Sequence, residues 1–180
     1  KALENYNESI RLNLIDRNVY LGRGNLYLIS GNFAAAISDF NISLKIKPDF
    51  VDALNSRGSS YNAQQKYDSA LYDLNKSISL KPGYKMAYKN RALVFMKIKK
   101  YKESINDFNK YLESEPEDAE IINNVGVCYQ SLNKFDESIK IFDKRWRHRL
   151  AILFGMQERH SGCSATRTAM GNVYVPETTR

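Results

Sequence analysis

Histidine and cysteine are the side chains most readily recruited as bases, nucleophiles and metal ligands near neutral pH. This chain has two of each: His148, His160, Cys128 and Cys163. The quartet HSGC (His160–Cys163) sets an imidazole three positions from a thiol. An imidazole taking the thiol proton would leave a nucleophilic thiolate, but only on a scaffold that holds the pair. The surrounding stretch QERHSGCSATRTAMGNVYVPETTR is polar and aperiodic and offers no such scaffold. Cys128, two residues after Gly126 and next to Tyr129, reads as a small hydrophobe packed in a helix. The cysteines are too far apart to form a metal pair and too few for a disulfide framework, which favours a reducing compartment such as the cytoplasm. No glycine-rich phosphate loop occurs. The chain is therefore read as non-enzymatic, with no catalytic residue, metal or cofactor.

The formal charge of +7 is unevenly placed. Residues 1–144 carry 21 Lys/Arg against 18 Asp/Glu, and residues 145–180 carry six Arg against two acids. A nucleic-acid surface would spread its basicity along one face, so a nucleic-acid partner is disfavoured. Hydrophobic residues at 43% and charged residues at 26% suit a soluble fold. No apolar run approaches the ~18 residues that would cross a membrane.

The elements that must position any site are set by a 34-residue period. Blocks cut at Arg17, Val51, Lys85 and Ala119 align without a gap. Their eighth position is Gly24, Gly58, Ala92 and Gly126; their eleventh is Tyr27, Tyr61, Phe95 and Tyr129. The seventeenth is Phe33, Tyr67, Tyr101 and Phe135, and the twentieth is Ala36, Ala70, Ser104 and Ser138. The twenty-fourth is Phe40, Leu74, Phe108 and Phe142, and Pro48, Pro82 and Pro116 hold the thirty-second. Apolar residues recur at three and four within each block, predicting two amphipathic helices. The stretches SGNF, AQQKY, KIKKY and SLNKF supply the turn between them. Small residues at eight and twenty let the helices approach, aromatics fill the space beside them, and the proline ends the second helix. One such pair cannot bury its apolar face alone, so pairs must stack.

These residues resemble the tetratricopeptide repeat family over about residues 2–144. The resemblance implies an all-α, right-handed superhelical solenoid of antiparallel helix pairs. Residues 1–16 are the second helix of a preceding repeat, with Leu14 where proline is expected. Repeats then occupy 17–50, 51–84, 85–118 and 119–154, the last degenerate at its end, and 155–180 form a tail. The aromatic of position four is kept in Tyr20 and Tyr88 but becomes Leu54 and Ile122. The family's position-seven leucine is replaced by Arg23, Arg57 and Arg91, which reads as a tolerable departure. Pentatricopeptide arrays, the RNA-reading rival, have a different period, and the core array here is not basic.

The resemblance also implies a scaffold that binds a peptide or partner protein in a concave groove lined by the first helices. Groove positions two, five, six, nine, twelve and thirteen assign Asn25, Asn55, Ser59, Asn62, Met86, Lys89, Asn90, Asn123, Asn124 and Gln130 as ligand-binding residues, with Asp52, Ser56, Met96, Lys97 and Glu120 beside them. Amides carry donors and acceptors together and can hold a peptide backbone whatever its side chains. Methionine adds an adaptable apolar contact. Asn90 and Asn124, one repeat apart at position six, resemble the start of an asparagine ladder. Co-chaperone members of the family grip a C-terminal carboxylate with Lys, Asn, Asn, Lys and Arg at positions five, nine, six, two and six of successive repeats. Those positions hold Leu21, Asn25, Ser56, Met86 and Asn90 in one register, and Asn55, Ser59, Asn90, Glu120 and Asn124 in the next. Neither has a cation, so that clamp is disfavoured.

The pattern stops at Arg145, where a small residue is due, and at Leu150, where proline is due. RWRHRLAILF (Arg145–Phe154) keeps helical spacing at Trp146, Leu150, Leu153 and Phe154. All 16 lysines precede residue 145, while six of eleven arginines follow it. The tail is accordingly expected to be disordered or non-native, with a basic element for nucleic acid or anionic lipid as the functional alternative. Because the chain opens at Lys1 partway through a repeat, it is expected to be a fragment. A structural array whose activity lies in missing domains is the alternative to a peptide-binding groove.

Overall fold

The computed structural model describes residues 2–12 and 16–143. The expectations for Leu14, for the end of the fourth block, for His148, His160 and Cys163, and for the tail concern residues outside that range.

Eight helices and the described part of a ninth follow one another: α1 (Ala2–Arg11), α2 (Arg17–Ile29), α3 (Phe33–Ile46), α4 (Val51–Ala63), α5 (Tyr67–Leu80), α6 (Lys85–Lys97), α7 (Tyr101–Leu112), α8 (Ala119–Ser131) and α9 (residues 135–143). The helices α2, α4, α6 and α8 start at Arg17, Val51, Lys85 and Ala119, the 34-residue spacing of the sequence. Asp16, Asn32 and Asp118 cap α2, α3 and α8 with their side chains. Lys47 (φ −138°, ψ 97°) and Lys81 (φ −142°, ψ 85°) end α3 and α5 in extended backbone, as the following Pro48 and Pro82 require. Here α7 differs, ending two residues earlier at Leu112, with the Ser114 and Glu115 amides on the Tyr111 carbonyl.

Each first helix is closed by the same device. Gly31, Gln65, Lys99 and Asn133 all take left-handed backbone, with φ between 58° and 78°. The amide after each one, at Asn32, Lys66, Lys100 and Lys134, reaches back to the carbonyl of Tyr27, Tyr61, Phe95 and Tyr129 at 2.8–2.9 Å. This is a Schellman closure, in which glycine is the usual left-handed residue. Three of the four closures manage without it.

Within each pair, helix approach depends on position eight. A Cβ on Gly24 would lie 2.6 Å from the Phe40 ring, on Gly58 2.8 Å from Leu74 Cγ, and on Gly126 2.4 Å from the Phe142 ring. The residue at twenty-four therefore occupies the space left by the missing side chain at eight. Ser104 and Ser138, at position twenty, add a hydrogen bond from their hydroxyls to the carbonyls of Ala92 (2.8 Å) and Gly126 (3.1 Å).

The apolar core lies between pairs as well as within them. Leu44 packs with Ala53 and Leu54 across α3 and α4. Ala70 and Leu74 pack with Ala87 and Val94 across α5 and α6. Ile105 and Phe108 pack with Ile121, Val125 and Cys128 across α7 and α8. The first helices of successive pairs also touch, α2 with α4 and α4 with α6, so they present a common face. Among the described residues the fold is an all-α solenoid of antiparallel helix pairs.

Candidate functional site

All ten residues expected to line the groove lie on first helices: α2, α4, α6 and α8. Asn55 is 8% exposed, and its Oδ1 accepts from Asn90 Nδ2 at 2.9 Å. This bond joins α4 to α6. Asn25, Ser59, Asn62, Lys89, Asn90 and Asn124 are half-buried, whereas Met86, Asn123 and Gln130 are exposed. Asn90 thus pairs back to Asn55 and has no bond to Asn124 among the described residues. Asn55 Nδ2 and Asn90 Oδ1 make no protein hydrogen bond among those residues either, and neither is among the atoms sealed from solvent. The amide pair consequently presents one donor and one acceptor outward. Asn62 differs, because its Oδ1 is sealed without a partner and only its Nδ2 is available.

Two lysines of α6, Lys85 and Lys89, are occupied. Lys89 Nζ lies 3.3 Å from Asp118 Oδ2 and 5.1 Å from the centre of the Tyr111 ring. Lys85 is ion-paired to Glu115. Asp118 also accepts the Tyr111 hydroxyl at 2.8 Å, while its other oxygen caps α8 through the Glu120 and Ile121 amides, both at 3.2 Å. Burial alone would raise the Asp118 carboxyl, but bonds from Tyr111, Ile121 and Lys89 outweigh it and hold it below the ordinary aspartate range. Burial, reinforced by the bond to Asp118, pushes the Tyr111 hydroxyl up to about 12. On the preceding pair Tyr84 donates to Asp52 Oδ1 at 2.8 Å, and burial with that bond raises the Tyr84 hydroxyl as well.

The arginines at position seven are the main residues whose role the sequence reading missed. Arg23 meets Asp39, Arg57 meets Asp73 and Arg91 meets Asp107, each through two parallel N–H···O bonds of 2.6–2.8 Å. The aspartates are 2%, 1% and 5% exposed, so these are buried fork-to-fork pairs. In each case the remaining Nη1 donates to an asparagine of the preceding second helix: Asn7, Asn41 or Asn75, at 2.7–2.9 Å. Each guanidinium also lies over an aromatic ring of its own helix, Tyr27, Tyr61 or Phe95, at 5.7–5.9 Å. The aspartate bonds come first in raising the arginine pKa values, against the opposing effect of burial. Three rungs therefore staple α1–α2–α3, α3–α4–α5 and α5–α6–α7. In the fourth block Val125 and Ile141 replace Arg and Asp together. That joint exchange was the visible signal, since Arg and Asp recur 16 residues apart in the first three blocks and vanish as a unit in the fourth.

Cys128 is fully buried with Sγ 3.6 Å from Ser104 Oγ, and burial pushes its thiol pKa up, with the Ser104 bond opposing. It packs as a small hydrophobe, remote from nucleophilic use. No group of three or more His, Cys, Asp or Glu side chains is placed to hold a metal among the described residues.

Half of the chain, residues 61–150, matches the family described as Psidin, N-terminal TPR repeats region, and residues 21–85 match one described as tetratricopeptide repeat. The chain belongs to the tetratricopeptide repeat family. No curated protein sequence matches it. Among solved structures, the array is similar to MamA 41-end from Desulfovibrio magneticus RS-1, with a TM-score of 0.74 at 19% identity over 83% of this chain and 84% of that one. It is also similar to the first TPR of Spaghetti (RPAP3) bound to the HSP90 peptide SRMEEVD, with a TM-score of 0.63 at 26% identity over 66% and 94% of the two chains. The first TPR domain of human RPAP3 gives a TM-score of 0.62 at 26% identity over 68% and 96%. Tetratricopeptide arrays are typically non-enzymatic scaffolds for protein–protein interaction, and the arrangement of helices here is of that kind. No described helix is long and apolar enough to cross a membrane.

Proposed function

We propose that this tetratricopeptide array is a non-enzymatic scaffold that binds an extended peptide segment of a partner protein along the face of its first helices. The observation that carries the reading is the Asn55–Asn90 pair, which fixes two amides across neighbouring repeats and leaves one donor and one acceptor turned outward. A peptide group has the same two needs. Asn25, Ser59, Asn123, Asn124 and Gln130 extend the polar lining, and Met86 offers an apolar contact. The similar RPAP3 domain was solved with a peptide, which supports the mode of use. Its acidic ligand is not the class expected here. The clamp positions hold Leu21, Asn25, Ser56, Met86 and Asn90, and the nearby Lys85 and Lys89 are tied to Glu115 and Asp118.

Capture of partners by the wild-type chain, compared with the Asn90→Ala, Asn124→Ala double variant, tests the reading. Loss of the captured partner with helix content intact supports it. Unchanged capture would assign binding to another surface and end the proposal.

A further inference from the structure

The proposed groove has a row whose chemistry differs from its amides. Position two, in the first turn of each first helix, holds Asn18, Asp52, Met86 and Glu120. All four are exposed. Asp52 gives one oxygen to the Tyr84 hydroxyl, and its other takes no hydrogen bond among the described residues. Glu120 makes no ion pair among them. On α6, beside Met86, Lys85 and Lys89 are already neutralised by Glu115 and Asp118, while Arg17, next to Asn18, lies over the Phe50 ring. Lys97, which has no ion pair among the described residues, stands at the opposite end of α6. The available charge along position two is therefore negative on either side of a methionine. Acids in a first turn also suit the helix dipole, but Asn18 and Met86 show that the fold does not demand an acid at this position.

From this row we infer that the groove selects an extended peptide carrying two basic residues about six positions apart with an apolar residue midway between them. The inference rests on the proposed groove reading. Its spacing comes from two lengths. Packed helices lie ~8–10 Å apart, and an extended chain in the polyproline-II form advances ~3.1 Å per residue with about three residues per turn, so one repeat corresponds to about three peptide residues and every third side chain faces the groove. Asp52, Met86 and Glu120 then meet positions one, four and seven of such a segment. One turn along α4 from Asp52, Asn55 is 8% exposed and held by Asn90, and its Nδ2, not sealed from solvent and without a hydrogen bond among the described residues, is free to donate to a backbone carbonyl. The rule is complementary in charge and opposite to that of a cation-lined clamp.

Three fluorescent thirteen-residue peptides test it, with Ser and Ala filling the other positions: a central K-x-x-L-x-x-K, the same peptide with Glu for Lys, and one with Ser for Lys. Binding is read by anisotropy at low and high salt. The basic peptide should bind about 5- to 10-fold more tightly than the Ser peptide, as two exposed charge pairs allow, and high salt should erase the difference. Asp52→Asn with Glu120→Gln, which keeps an acceptor for Tyr84, should erase it too, and Asp52→Lys with Glu120→Lys should favour the Glu peptide. If all three peptides bind equally and Asn55→Ala with Asn90→Ala abolishes binding, the charge rule is wrong and the groove reading survives. If the basic peptide binds undiminished to the Asn55→Ala, Asn90→Ala variant, the groove reading falls and takes this inference with it. Absence of binding by all three peptides overturns the inference as well.

Discussion

Removing Asp73 should damage the fold far more than removing both members of its pair. The Asp73 carboxylate is 1% exposed and takes two N–H bonds of 2.7 Å from Arg57, whose side chain is 19% exposed. Asp73→Ala leaves that guanidinium among buried neighbours with only Asn41 and the face of Tyr61 as partners. Breaking a buried pair in this way costs about 3–5 kcal/mol. The partial exposure of Arg57 puts the expected loss near the lower end, about 3 kcal/mol, still a large share of the 5–15 kcal/mol typical of a whole domain. The double variant Arg57→Leu, Asp73→Leu removes both charges and should lie within about 1 kcal/mol of wild type, because apolar replacement of a buried pair is often neutral or better. The fourth block already makes this exchange with Val125 and Ile141, both packed in the described structure. Urea unfolding followed by circular dichroism supplies the midpoints and slopes. A single variant that loses less than about 1 kcal/mol, or a double variant that loses the sum of its singles, would refute the assignment of the ladder as a coupled unit.

Three further outcomes follow from the same geometry. Gln65→Gly and Lys99→Gly, at left-handed positions with φ of 60° and 61°, should each raise the urea midpoint by the equivalent of about 0.5–1 kcal/mol, and a lowered midpoint would mean their side chains contribute more than the strain costs. Gly58→Ala places a Cβ 2.8 Å from Leu74 Cγ and 3.3 Å from the Ala70 carbonyl oxygen; overpacking of ~1–3 kcal/mol should outweigh the ~1 kcal/mol gain in helix propensity, so a more stable Ala variant would contradict the close approach. The Asp118 network should make stability fall at both ends of the pH scale. Its carboxyl is depressed, so that contribution is present above the usual aspartate value near ~4 and lost as pH falls through the lower folded value. Tyr111 is raised to about 12, so its contribution is complete below the ordinary tyrosine value of ~10 and lost as pH rises toward the folded one. Asp118→Asn should flatten the acid limb, and an unaltered acid limb would assign it to other groups.

The fold was legible because its determinants are local and repeated. Glycine at eight, the bulky residue at twenty-four and proline at thirty-two each act through a contact that recurs every 34 residues, and the Gly24–Phe40, Gly58–Leu74 and Gly126–Phe142 approaches are those contacts. What escaped were relations that a position-by-position reading does not pair. Arg57 reads by position as a tolerable departure from leucine, whereas Asp73, on the facing helix, accounts for its charge and Asn41, on the preceding pair, for its last donor. Lys89 was read as a groove cation open to a ligand, whereas Asp118 and the Tyr111 ring already hold it. Asn90 was matched to Asn124 by position alone, and its bond runs instead to Asn55 at position five of the repeat before. Periodicity finds equivalent residues, and complementary residues must be found from charge and hydrogen-bonding need.

The most direct test of peptide binding in this groove is a nitrogen-15 NMR titration that follows side-chain amide resonances as the basic peptide is added. The NH2 signals of Asn55 and Asn90 should shift or broaden together with those of Asn25 and Asn124, while those of Asn41 and Asn75, committed to the arginine ladder, stay in place. Saturable binding with the Asn55 and Asn90 signals unmoved would contradict the account.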